Sequence, residues 1–228
     1  MTNESVKVEL DTTTCEKDLG VHIDPLLTFD HHIDAAAKKG RQMSGMIMRN
    51  ITFKCKEIMV PLYTSYVRPH MEYGDAAWHP YKRKHIDKLE KVQRHFTKRI
   101  TGMTDKKYAQ RLNILKLPSL EFRQFRGDMI EVYKLTHDIY DSNTTNNLFT
   151  FSNFKSTRSH PYKLIINTPP NTVQCKMFFS YRVTHIWNSL PCDIVCADSV
   201  NSFKNKFDVY FKDYMYCINF NLYFPYSL

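Results

Sequence analysis

The sequence predicts a mainly α-helical fold with a small N-terminal β-hairpin. Three observations lead there. Apolar residues recur at three and four positions over most of the chain, period-two alternation is confined to the first two dozen residues, and proline, glycine or a capping serine falls where the helical pattern stops. With 228 residues, 43% hydrophobic and 14% aromatic, the chain is long and apolar enough to fold around a real core.

Residues 6–10 (VKVEL) and 19–23 (LGVHI) alternate apolar and polar side chains and predict a hairpin over 6–23. Such a hairpin is marginal alone, so it is expected to pack on something larger. Asp30 is the expected N-cap of a helix over 31–49, with Ile33, Ala37, Met43 and Ile47 on its buried side and Gly40 and Gly45 permitting close approach. A second helix is expected over 55–68, kinked by Pro61 and ended by Pro69. A short helical or turn segment with Trp78 follows at 70–80.

The helix expected over 83–101 is the most informative. At 100° per residue, Ile86, Leu89, Val92, Phe96 and Ile100 fall within about 120°. Lys84, Lys88, Lys91, Arg94, His95, Lys98 and Arg99 fall on the other side, and Gly102 provides the stop. A short helix at 105–113 precedes one capped by Ser119 and running to about 138, with Phe122, Phe125, Met129, Val132 and Tyr133 inward. Residues 141–172, rich in Ser, Thr, Asn and Pro, read as a linker. A helix with Val183, Ile186, Trp187 and Leu190 stops at Pro191, and Ser199 caps another carrying Val200, Phe203, Phe207, Tyr210 and Tyr214. The expected organisation is therefore a hairpin at 1–24, a helical domain at 25–140, a linker at 141–172 and a helical module at 173–228.

The formal net charge of +9 favours polyanionic partners. Between Lys82 and Arg111, eleven basic residues face only Asp87, Glu90 and Asp105, so thirty residues carry a net +8. A mixed-sign solvated face is the ordinary explanation of a charge run, and here the opposing charges on the helix are only Asp87 and Glu90. The expected nucleic-acid contacts are Lys84, Lys88, Lys91, Arg94, Lys98 and Arg99, acting on phosphates without reading sequence. Tyr63, Tyr66, Tyr73, Trp78 and Tyr81 read chiefly as core, with base stacking as the alternative.

No stretch of about 18 apolar residues spans a bilayer, and MTNESVKVEL lacks a secretory pattern. The expected location is nuclear or cytoplasmic rather than secreted. Cys192 and Cys196 form the only close cysteine pair, so no metal site is assigned and the six cysteines read as thiols. No GxSxG turn, helical HExxH or adjacent Asp-Asp pair occurs. The expectation is no catalytic residue, no cofactor and no small-molecule substrate.

Five phrases occur in order: EKDLGVHIDPLLTFDHHI, PLYTSYVRPHMEYGDAAWHPY, IDKLEKVQRHFTKRITGM, RLNILKLPSLEFRQFRGDMIEVYKL and FFSYRVTHIWNSLPCDIVCADSVNSFKNKFDVY. Over residues 16–212 the chain resembles the C-terminal portion of non-LTR (LINE-type, jockey-like) retrotransposon reverse transcriptases. That resemblance implies a palm-end hairpin near Leu19, Gly20 and Val21, a thumb-like region from 31 to about 138 that tracks template–primer duplex, and a terminal module. The family's aromatic-x-Asp-Asp box would lie upstream of Met1, so RNA-directed DNA polymerase activity is not expected of this fragment. The implied partner is RNA or an RNA–DNA duplex, and no membrane. A protein-interaction module using the aromatic helix 199–215, or an element remnant with no function, are the alternatives.

Overall fold

A computed structural model describes residues 13–140, 148–152, 160–167 and 172–218. The protein is mainly helical, and the described residues include one two-stranded antiparallel hairpin, as the sequence pattern requires.

The hairpin is shorter and later than expected. Strand β1 (Glu16–Asp18) pairs with β2 (Val21–Ile23), with Lys17 opposite His22. Leu19 and Gly20, expected to begin a strand, instead form the two-residue turn, both with positive φ (44° and 89°). Two positive φ values match the right-handed twist of the flanking strands, and Gly20 takes one at no steric cost. Residues 6–10 lie outside the described residues.

Helix α1 spans Asp30–Asn50, and Asp30 is not its cap. Phe29 occupies that position in the left-handed region, and the Asp24 carboxylate organises the approach. It accepts the backbone N–H of Leu26 at 3.1 Å, of Thr28 at 3.0 Å and of Phe29 at 2.8 Å. A carboxylate taking several N–H donors satisfies the loop before the helix begins. Asp30 is thereby released to face the helix packed alongside.

Helix α2 (Lys56–Leu62) runs through Pro61 into one π-helical turn, Tyr63–Val67, and then into α3 (Pro69–Glu72). Pro69 opens a helix rather than ending one. Its ring has no N–H to give, a loss without cost at a first helical position, and the wider π turn before it gives the ring room. Gly40 of α1 makes the crossing with α3 possible: a Cβ there would lie 3.1 Å from the Met71 sulfur. Helix α4 (Asp75–Trp78) places Trp78 in the core.

Helix α5 (Arg83–Lys98) packs along α1, followed by α6 (Tyr108–Leu115) and α7 (Leu120–Thr136). Ser119 caps α7, its Oγ accepting the Phe122 N–H at 3.2 Å. Then come α8 (Val173–Lys176), α9 (Phe179–Ser189), α10 (Cys192–Val195) and α11 (Val200–Tyr210), the last capped by Ser199.

Two buried clusters result. Ile33, Ala37, Ile47, Met59, Tyr63, Met71, Trp78, Leu89, Val92, Phe96 and Leu112 form the first. Phe122, Phe125, Met129 and Tyr133 of α7 form the second with Val183, Trp187, Phe203, Phe207 and Phe211. The change from one cluster to the other thus falls at the start of α7, whereas composition sets it at 141–172. Within that expected linker, Phe151 bridges to Leu164, and Leu164 is buried in the second cluster.

A closed ionic junction joins α7 to the C-terminal helices. Arg182 of α9 and Asp128 of α7 are each 2% exposed and pair through two bonds, 2.8 and 2.9 Å. Arg182 also donates to the Ala76 carbonyl at 2.9 Å and the Met177 carbonyl at 3.0 Å. Arg126 makes a second two-bond pair with Asp208, 2.5 and 2.8 Å.

Candidate nucleic-acid interface

The apolar stripe of α5 is buried where the periodicity puts it: Ile86, Leu89, Val92 and Phe96 all lie in the interior, with Ile100 just beyond the helix. The opposite side is fixed outward by that burial. Each predicted cation can therefore be followed to its partner.

The N-terminal half of the stripe is neutralised. Lys84 pairs with Asp30 of α1 at 3.1 Å, and Lys88 pairs with Asp34, one turn further along α1. Lys82 and His85 also reach Asp30, at 3.5 and 2.8 Å. Burial works against the Asp30 carboxylate, but the Lys84 hydrogen bond and the charges of His85 and Lys82 outweigh it and hold it below the usual range. Lys84 and Lys88, expected to contact phosphates, are thus ties between α1 and α5.

The C-terminal half is not neutralised. Lys91, Arg94, Lys98 and Arg99 are exposed, and none forms an ion pair with a carboxylate among the described residues. The two acidic residues of the helix are occupied elsewhere. Asp87 takes Arg83 at 2.7 Å. Glu90, counted with the solvent face from sequence, is buried. Its carboxylate accepts the Tyr108 hydroxyl and the Leu120 backbone N–H, the latter at 3.0 Å. Burial pushes its pKa up to about 7, against the lowering effect of those two bonds.

Sequence reasoning missed the neighbours that widen this basic face. Arg41 lines a groove between α1 and α5 with Lys91, His95 and Arg99. Lys54 joins Lys98, Arg99 and Thr104 at the end of α5. Its backbone carbonyl accepts the Thr101 N–H at 2.9 Å, which holds the two segments together. Lys106 and Lys107 share a groove with Arg94, Lys98 and Tyr108. A cluster from three chain segments gives no periodic signal, although the local charge surplus through Arg111 includes part of it.

Arg94 is also held in place. Its guanidinium lies 4.9 Å from the Tyr108 ring centroid, and Arg111 lies 5.3 Å from the same ring. Arg111 is buried and donates to the carbonyls of Lys106 at 2.8 Å and Arg94 at 3.2 Å. It braces the end of α5. Arg94 spends one face on the ring and keeps its donor edge for an oxyanion.

Comparison with family models, curated proteins and solved structures returned no match.

Among the aromatics read chiefly as core, Tyr63 and Trp78 are interior, whereas Tyr66 and Tyr73 are exposed. The Tyr63 hydroxyl donates to Gln93 at 2.6 Å and the Tyr73 hydroxyl to the Leu19 carbonyl at 3.0 Å. Tyr73 thus ties the hairpin turn to the helices.

Two further perturbed groups lie near the Arg182–Asp128 pair. Asp75 is pushed up to about 7 by burial and by the charges of Asp128 and Glu72, and burial holds His79 down to about 4. His79 is buried and lies 3.3 Å from Asp128, and Asp75 is half-buried beside the same junction.

Two thiol clusters stand apart. The sulfurs of Cys192 and Cys196 are 3.4 Å from one another. Cys15, His22 and His31 bring their ligand atoms within 4.8 Å of one another, and among the described residues this is the one trio of metal-ligating side chains so grouped.

Proposed function

We propose that the C-terminal half of α5 contacts the phosphates of an RNA or RNA–DNA duplex, without sequence preference and without polymerase chemistry of its own. The observation that carries this reading is the row of uncompensated cations Lys91, Arg94, Lys98 and Arg99, flanked by Arg41, Lys54, Lys106 and Lys107.

Basic residues near a helix C-terminus also complement the helix dipole, which is the competing explanation. That dipole amounts to about half an elementary charge and contributes ~0.3–1 kcal/mol per well-placed cation. Lys98 and Arg99 satisfy it. It does not account for Lys91 and Arg94 nearer the middle of the helix, or for cations brought from α1, Lys54 and the segment before α6.

The role resembles that of a thumb, in keeping with the non-LTR reverse transcriptase resemblance of residues 16–212. Polymerisation would need clustered carboxylates to hold two metal ions, and no adjacent Asp-Asp pair occurs in the sequence.

The alternatives fit less well. The aromatic side of α11 is not a free binding face, because Phe203 and Phe207, with Phe211 just after the helix, are buried in the second cluster. An interfacial membrane helix needs its apolar side free for lipid, and that of α5 is spent on the core. No helix among the described residues is long and apolar enough to cross a membrane.

The test is fluorescence anisotropy with a labelled RNA–DNA duplex over a salt series. Weakening of affinity as salt rises, and its loss in a Lys91→Glu, Lys98→Glu and Arg99→Glu variant of unchanged helicity, is the expected result. Salt-indifferent binding, or full binding by that variant, would overturn the reading.

A further inference from the structure

From the juxtaposition of Cys15, His22 and His31 we infer a binding site for a divalent, borderline-soft transition metal of the zinc class, one that clamps the hairpin to the first turn of α1.

The placement follows from the fold. Lys17 stands opposite His22 in the hairpin register. Cys15 immediately precedes β1, and its sulfur lies within 4.8 Å of the His22 and His31 ring nitrogens. His31 is on the first turn of α1, which packs on β2. The ligand atoms of the three residues lie within 4.8 Å of one another, and the His22 and His31 rings are 4.6 Å apart, edge to face.

The scaffold that carries these side chains is fixed independently of them. The His22 backbone N–H donates to Nδ1 of His32 at 3.3 Å, pinning β2 to α1. His32 is itself buried and 4.8 Å from the Trp78 ring. Asp24 holds the connecting loop by its N–H bonds. The trio therefore projects from two elements with a defined relative position.

The donor set selects the metal. Zinc takes imidazole at about 2.0–2.1 Å and thiolate at about 2.3 Å in tetrahedral geometry, which puts neighbouring donor atoms roughly 3.3–3.6 Å apart. From 4.8 Å, rotation of exposed or half-buried side chains closes a gap on the order of 1 Å. One thiolate and two neutral imidazoles suit zinc, and they are too soft a set for calcium or magnesium. Water would complete the fourth position. Lys17 repels a cation, but it is exposed and screened, and the thiolate offsets part of the metal's charge. Binding releases the thiol proton, so it strengthens as pH rises.

The experiment uses the full chain, purified reduced and metal-free, and titrated with Co(II) followed by Zn(II). One equivalent of Co(II) is expected to give a tetrahedral absorption band with a thiolate charge-transfer feature, both removed by Zn(II). Zn(II) should also raise the thermal midpoint.

In C15S the charge-transfer feature disappears. His31→Ala, at an exposed helix position, keeps the circular dichroism spectrum and loses affinity by more than ~100-fold, since even outer-shell partners of a metal are worth ~10–100-fold. C192S/C196S binds as wild type. Retention of the charge-transfer feature in C15S, unchanged affinity in His31→Ala, or loss of binding in C192S/C196S would each overturn the site. Duplex binding by α5 does not depend on it, so the two proposals fail separately.

Discussion

Lys84 and Asp30 form an ion pair between α5 and α1, with 3.1 Å between Nζ and Oδ2, and together with the Lys88–Asp34 pair one turn on it divides the basic face of α5, after Lys88, into two unequal parts. Ahead of the division the cations stitch helices together. Beyond it they are open to an external anion.

The division predicts an asymmetric alanine scan. Arg94→Ala, Lys98→Ala and Arg99→Ala each weaken duplex binding uniformly across sequences and reduce the salt slope by about 1. Lys84→Ala and Lys88→Ala leave that slope nearly unchanged and cost at most about 1 kcal/mol of stability, as exposed ion pairs do. Anisotropy titrations at several salt concentrations, paired with urea unfolding, separate the two groups.

Tyr108 serves two partners with two parts of its side chain: the ring faces Arg94 and the hydroxyl donates to Glu90. Tyr108→Phe keeps the ring and leaves Glu90 short of a donor, so stability falls by about 1–3 kcal/mol while affinity holds. Tyr108→Leu loses both. Its affinity falls further by a few-fold, matching ~0.5–1 kcal/mol for an exposed cation–π contact. Equal affinities for the two variants would show that the ring does not order Arg94.

Glu90 gives a pH prediction with a definite sign. Its carboxyl titrates near 7 when folded, against an ordinary value of 4.5, so the folded state holds the proton more tightly. Its stabilising contribution is complete below the ordinary value and is lost as pH rises through about 7. His32 and His79, both held near 4 by burial, act in the opposite sense, so the total profile does not isolate Glu90. Glu90→Gln does. Its stability relative to wild type should climb between about pH 4.5 and 7, by an amount on the order of 3 kcal/mol, then level off. Denaturant melts of both proteins across that window provide the check, and a flat difference would refute the assignment.

The Arg182–Asp128 junction predicts strong coupling between the two clusters. Arg182→Ala strips both guanidinium bonds from the buried Asp128, leaving it beside His79 at 3.3 Å, and should cost about 3–5 kcal/mol. Replacing both, as Arg182→Met with Asp128→Leu, should recover much of that loss, because burying an ion pair is itself expensive. Equilibrium unfolding of the single and double variants measures it, and no recovery in the double variant would count against this account.

Local signals carried most of the fold. The 3.6-residue period of α5 put Ile86, Leu89, Val92 and Phe96 inside, and Ser119 and Ser199 cap the helices they precede. Where the sequence misled, a distant residue decided the outcome. Asp24 organises the turn into α1 and frees Asp30, which then meets Lys84, 54 residues away. Glu90 looks solvent-facing on a helical wheel until Tyr108 and the start of α7 cover it. Tyr210 and Tyr214 shared the helical spacing of α11, but Tyr210 is exposed and Phe211, at the turn that ends the helix, takes the buried place. Cys15, His22 and His31 match no compact ligand motif because only hairpin pairing and the following loop bring them together.

The most direct test of the central claim is the dependence of duplex affinity on salt. If Lys91, Arg94, Lys98 and Arg99 each neutralise one phosphate, log K falls against log salt with a slope of roughly −3 to −4 on a duplex, and charge reversal at Lys91, Lys98 and Arg99 brings that slope towards zero. A slope near zero for the wild-type protein, or an equal slope in the reversed variant, would contradict the account.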